Sequence, residues 1–129
     1  MNRFLLDTHT LLWAVAKPSQ LSRNATQVIA ASTNELVVSA ASAWEIATKH
    51  RLGKMPGVER LLAEWDWVVE QLRAQSIPVT HRVALRAGSY VSRHRDPFDR
   101  LLAAEAELAG VGFITADSAF ADFPVTVIW

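Results

Sequence analysis

Arg3-Phe4-Leu5-Leu6-Asp7-Thr8-His9-Thr10-Leu11-Leu12-Trp13 is the stretch that decides the fold. Residues 3–7 carry a short continuous apolar run, the pattern of a strand covered on both faces. Asp7 closes the run and stands where a helix needs its N-cap, and that helix continues to about Ala16, where Lys17-Pro18-Ser19 ends it. A doubly covered strand feeding directly into a helix is the opening unit of a parallel α/β fold.

The same alternation continues outward from this unit. A second helix is expected over about 22–32, a strand over Glu35-Leu36-Val37-Val38, and a helix from about Ser42 to Leu52 that Gly53 terminates. Val58, Leu61, Leu62, Trp65, Val68, Val69 and Leu72 recur at three-four spacing, which predicts one helix across 58–74. Ile77-Pro78-Val79 reads as a short edge strand, followed by helices at about 81–93 and 97–109. Gly112–Thr115 and Val125–Ile128 supply the last strands, with a turn or short helix around Ser118–Ala121. The expectation is a three-layer α/β/α sandwich with a mainly parallel central sheet, folded as a single domain over 1–129. In such folds ligands sit beyond the carboxyl ends of the strands, at the switch point.

Asp7 and Asp117 both fall at those carboxyl ends. Each alone is accounted for as an N-cap between strand and helix. Glu45 projects beside Ala41, Trp44, Thr48 and Leu52, inside an apolar stripe, unless Ser42-Ala43-Trp44-Glu45 forms a capping box. In Asp96-Pro97-Phe98-Asp99, Asp96 fits as N-cap and Pro97 as the first helical residue. Asp99 lies at the edge of the buried stripe of that helix, whereas Arg100 points away and Glu105 projects into the stripe. Carboxylates gathered near a core repel one another and resist desolvation unless protonated, paired or neutralised. Oxygen-rich clusters of this kind favour a hard divalent ion, Mg2+ or Mn2+, and with it metal-assisted phosphate chemistry.

Composition sets the outer bounds. The 129 residues are 50% hydrophobic and 20% charged with a formal net charge of zero, which describes an ordinary globular protein. With no cysteine, disulfides and thiolate zinc sites are excluded. No apolar run reaches the ~20 residues of a membrane span, and no signal-peptide layout is present, so a cytoplasmic location is the expectation. Basic residues gather at 49–60 and 82–100, the second group running into Asp96 and Asp99, where a phosphate backbone would need cations. His9, His50, His81 and His94 are scattered without acid–base or ligand spacing and read as surface or capping residues.

Four segments in order along the chain, LLDTHTLLW (5–13), SAASAWEIATKHRLGK (39–54), HRDPFDRLLAAEA (94–106) and GFITADSAF (112–120), resemble PIN-domain proteins, and most of all the VapC-type ribonuclease toxins of bacterial toxin–antitoxin modules. The resemblance implies a PIN-like sandwich whose acidic quartet, Asp7, Glu45, Asp99 and Asp117, binds Mg2+ or Mn2+ and cleaves RNA. Thr8, Thr115, Asp96 and Arg100 fall at supporting positions. It also implies a homodimer held inactive by a cognate antitoxin protein. Asp7, Asp99 and Asp117 would hold the ion, with Glu45 as ligand or water-orienting base, and in-line attack would leave a 5′-phosphate and a 3′-hydroxyl. Glu105 departs from the resemblance, since glutamine is more usual there.

Four other functions fit the same fold less well. A PIN nuclease of RNA processing would share the site without being a toxin. A phosphatase with two aspartates after the first strand finds His9 where the second is needed. A receiver domain lacks its paired early acids and its late lysine. A catalytically silent binding module would not need four intact acids.

Overall fold

The N-terminal apolar run forms β1 (Asn2–Leu6), the central strand of the computed structural model, which describes residues 2–129. Around it lie β2 (Asn34–Ser39), β3 (Ala74–Ile77), β4 (Gly112–Ile114) and β5 (Thr126–Ile128), all parallel, in the order β3-β2-β1-β4-β5. The chain therefore builds outward from β1 to β3, then crosses back to lay β4 on the other side of β1. That reversal opens a crevice at the carboxyl ends of β1 and β4.

Side-chain alternation along the strands makes two cores. Leu5, Val37 and Phe113 face one layer, whereas Leu6, Leu36, Val38 and Ile114 face the other. The first layer is covered by α6 (His81–Ser89) and α7 (Pro97–Ala109) through Val83, Ala87, Leu102, Ala103 and Ala106. The second is covered by α1 (Thr8–Ala16), α2 (Arg23–Ala30), α4 (Glu59–Ala63) and α5 (Trp65–Gln71). Helix α3 (Ala40–Arg51) straddles the sheet end, with Ala41 in one core and Ile46 in the other. The expected three-layer α/β/α sandwich is what forms.

Local signals explain most boundaries. Ser22, Thr80 and Asp96 accept backbone N–H groups as N-caps of α2, α6 and α7. Pro97 occupies the first turn of α7, and Gly110 ends that helix in the left-handed region at φ 65°.

Five expectations are corrected. The 58–74 helix is two short ones, because Glu64 leaves the helical region at φ −126°, ψ 39°. The buried positions Val58, Leu61, Val68 and Val69 still converge on one core across that break. Helix α3 starts at Ala40, capped by the Ser39 hydroxyl, so Ser42 does not form a capping box with Glu45. Trp44 and Leu52, expected beside Glu45 in an apolar stripe, are both exposed. The third strand lies before Pro78 and not across it, since proline cannot donate to the ladder. Helix α6 stops at Ser89, four residues short of the expected end.

Candidate metal centre

Asp7 occupies the β1–α1 junction because it completes the strand and caps the helix at once. Its N–H donates to the Ile114 carbonyl at 3.1 Å, and its Oδ1 accepts from Thr8 N at 2.8 Å. Its Oδ2 accepts from the Thr115 hydroxyl at 2.7 Å, and that hydroxyl accepts in turn from Asp117 N at 3.0 Å. Thr115 thus ties the ends of β1 and β4 together. Asp117 itself is exposed and caps the short turn Ser118–Asp122 through Ala119 N. The Thr8 hydroxyl lies 2.9 Å from the Ser42 hydroxyl and fixes α1 against α3.

Glu45 is 3% exposed and projects from α3 into the same crevice. Lys49, one turn further along α3, donates to its Oε2. Its Oε1 is buried with no hydrogen-bond partner. Asp99, from the first turn of α7, pairs through Oδ2 with His94 Nε2 at 2.7 Å. His94 packs edge-on against Phe123 and tilted against Phe120, so the imidazole is held from behind.

Asp7, Glu45, Lys49, Asp99 and Asp117 line one pocket of about 460 Å3, together with His9, Trp13, Asp96 and Ala116. All four acids of the expected quartet reach it. Their tightest convergence includes a fifth: Glu45, Asp96 and Asp99 each present an oxygen within 4.8 Å of the others. Asp96 spends its Oδ1 on the N–H groups of Phe98 and Asp99, at 2.8 and 3.4 Å, so it caps α7 and faces the pocket together.

Burial raises the Asp7 carboxyl above its ordinary range, partly offset by the Thr115 and Thr8 hydrogen bonds. Burial also pushes Asp99 up to about 6, against the lowering effect of His94, and the charges of Asp96, Asp7 and Glu45 add to the rise. Lys49 shows the complementary effect. Burial would depress its ammonium, but the bond to Glu45 and the charges of Glu45, Asp96 and Asp99 outweigh that and raise its pKa. Asp7 and Asp99 thus both resist ionisation in this pocket, through burial and the neighbouring acids. A cation placed beside them would favour their charged forms.

Four sets of contacts lay outside the expectations drawn from the residues. His94 pairs with Asp99 across a loop, where no helical spacing could reveal it. The loop is set by Arg100, which does not point idly away: it donates to the carbonyls of Ala87, Tyr90 and His94 at 2.8, 2.6 and 2.9 Å. Lys49 stands four residues after Glu45, a spacing that was readable as an ion pair. Glu105, unexplained in sequence, accepts from the Ser39 hydroxyl at 2.8 Å and is buried beneath the N-terminus of α3.

Glu105 carries a test of its own. Burial raises its pKa above the ordinary 4.5, and the Ser39 bond only partly restrains the rise. A raised folded pKa means that its contribution to stability is intact below the unfolded value and declines as pH climbs through the folded one. Glu105→Gln keeps the acceptor for Ser39 and removes the charge. The variant is expected to be more stable than wild type by about 1 kcal/mol at pH 7.5, with the gain vanishing towards pH 4. Chemical denaturation at both pH values measures it.

The structure is a parallel α/β/α sandwich with an acid-lined pocket at the switch point of its sheet. Residues 4–125 match the PIN domain profile. The chain is 32% identical over 120 residues to Ribonuclease VapC22 of Mycobacterium tuberculosis, covering 91% of this chain and 88% of the relative. The chain belongs to the PIN domain family. In fold it is similar to a chain of VapBC2 from Rickettsia felis bound to a promoter DNA fragment, with a TM-score of 0.68, 15% identity, and 98% and 97% of the two chains covered. It is also similar to a chain of a toxin–antitoxin complex from Klebsiella pneumoniae, with a TM-score of 0.61, 19% identity, and 97% and 95% covered.

Proposed function

We propose that this protein is a divalent-ion-dependent endoribonuclease that hydrolyses RNA phosphodiester bonds as the toxin of a toxin–antitoxin pair. The observation that carries the reading is Glu45 Oε1, a buried carboxylate oxygen without a partner in a pocket lined by further carboxylates. A buried acceptor left unpaired is costly, and a hard cation is the group that would complete it. The similarity to a protein named a ribonuclease supports the substrate class.

Glu45, Asp96 and Asp99, which present oxygens within 4.8 Å of one another, would hold Mg2+ or Mn2+ together with Asp7 on the same pocket, with Asp117 at its edge. When bound, such an ion lowers the pKa of a water and stabilises charge on a scissile phosphate. The protein's own residues keep the ligands still. Thr115 and the Thr8 N–H occupy both oxygens of Asp7, so its carboxylate cannot turn. His94, on the loop that Arg100 pins, holds Asp99 by one oxygen. Glu45 Oε1 is the group placed to ligate or to orient an attacking water.

The antitoxin half of the reading draws support from the fold neighbour from Klebsiella pneumoniae, which comes from a toxin–antitoxin complex. A groove of about 760 Å3 between α1, the 54–58 loop, α4 and α5 is lined by Leu12, Val15, Met55, Val58, Leu61 and Val68, and it shares His9 and Trp13 with the acidic pocket. An antitoxin segment seated there would reach the acids from their own rim. A homodimer belongs to the same reading, and a monomer in gel filtration at micromolar concentration would count against it. Among the described residues, no helix is long and apolar enough to cross a membrane.

Purified protein incubated with single-stranded RNA tests the central proposal. Cleavage is expected with Mg2+ or Mn2+, to stop in EDTA, and to return when Mn2+ is restored. Undiminished cleavage in chelator contradicts it.

A further inference from the structure

The proposed ion would not enter an uncompensated pocket. Of the residues lining it, Asp7, Glu45, Asp96, Asp99 and Asp117 are acids, and Lys49 is the one lysine or arginine. Its ammonium is already paired with Glu45 Oε2, whereas Glu45 Oε1 has no partner. Its side chain is 30% exposed and that of Glu45 only 4%, so the lysine closes over the carboxylate from the solvent side. A pair four residues apart on one helix is pre-positioned by the backbone and forms without any rearrangement.

Resting on the metal-binding reading above, we propose that Lys49 is a built-in counter-ion that competes with the divalent cation for Glu45 and so raises the ion concentration at which the site loads. Whichever Glu45 oxygen an ion takes, the ammonium bonded to the same carboxylate repels it. Without an ion, the same ammonium offsets part of the mutual repulsion of the acids. Its charge therefore stabilises the ion-free protein and weakens ion binding. A lysine that merely held Glu45 in its rotamer would have the opposite effect on affinity, because its loss would let the ligand swing away.

The sign of one affinity change separates these roles. Mn2+ binding to full-length wild type, Lys49→Gln and Lys49→Arg is measured by calorimetry, with melting temperatures taken in EDTA and in Mn2+. Lys49→Gln is expected to bind Mn2+ about tenfold more tightly, a Coulomb effect discounted for the partial exposure of the lysine. It should melt lower than wild type in EDTA and recover in Mn2+, whereas Lys49→Arg stays near wild type in all three. A Lys49→Gln protein that folds only with Mn2+ supports the same role. Unchanged or weaker Mn2+ binding by folded Lys49→Gln overturns the inference and leaves the metal site standing, as does a variant that stays unfolded in both media. A wild type that binds no Mn2+ removes the metal-binding reading and this inference with it.

Discussion

Asp99→Asn should reduce RNA cleavage by on the order of 10³-fold while leaving the ion-free protein at least as stable as wild type. Asparagine keeps the volume of the side chain and an oxygen for His94, which holds Asp99 at 2.7 Å, so the loop geometry survives. What disappears is the negative charge among Asp7, Glu45 and Asp96. That charge is costly to the ion-free fold: burial, reinforced by the neighbouring acids, pushes Asp99 up to about 6 from its ordinary 3.8. Its contribution is intact below pH 3.8 and is lost as pH rises through about 6, so relief by asparagine is greatest above pH 6. Opposite movements of activity and stability mark a group kept for chemistry at the expense of the fold. RNA cleavage assays and EDTA-phase melting curves at pH 7.5 read both. Near-normal cleavage by folded Asp99→Asn would remove Asp99 from the ion. Asp96→Asn should be milder, since asparagine is as good an N-cap and Asp96 serves α7 in that role.

The second large effect is expected in the core beneath the site. Phe113 is fully buried in β4, paired in register with Leu5 and packed edge-on against Phe120 at 4.6 Å. Phe113→Ala should cost about 3–5 kcal/mol, through lost burial and the cavity left behind. Against a total stability of roughly 5–15 kcal/mol, that is enough to threaten folding at 37 °C. The strand also carries the chain to Thr115, so a loosened β4 would release the hydroxyl that fixes Asp7. Urea unfolding measures the loss, and a cost below about 1 kcal/mol would show that β4 does not anchor this face.

Much of this arrangement was legible in the residues, and the boundary of legibility has physical causes. Strand β1 could be read because an apolar run covered on both faces has no period to confuse it with an amphipathic helix. Asp7, Asp99 and Asp117 could be placed because the carboxyl ends of parallel strands and the starts of helices are set by local sequence. The break at Glu64 was not readable, since the apolar period runs through it and tertiary packing decides where the backbone turns. Glu45 fell in the right place for a partly wrong reason. Its depth comes from α3 crossing the sheet end between two cores, while the flanking Trp44 and Leu52 are in fact exposed. The His94–Asp99 and Ser39–Glu105 contacts depend on the loop and on helix packing, which no local pattern encodes.

Diffraction from crystals soaked in Mn2+, recorded at the manganese edge, most directly tests whether these side chains make one ion site. A single anomalous peak within coordination distance of Glu45 Oε1 and of the Asp7 and Asp99 carboxylates is the expected result. No peak in that crevice at millimolar Mn2+, or one held by other residues while Glu45 Oε1 stays unpartnered, would contradict it.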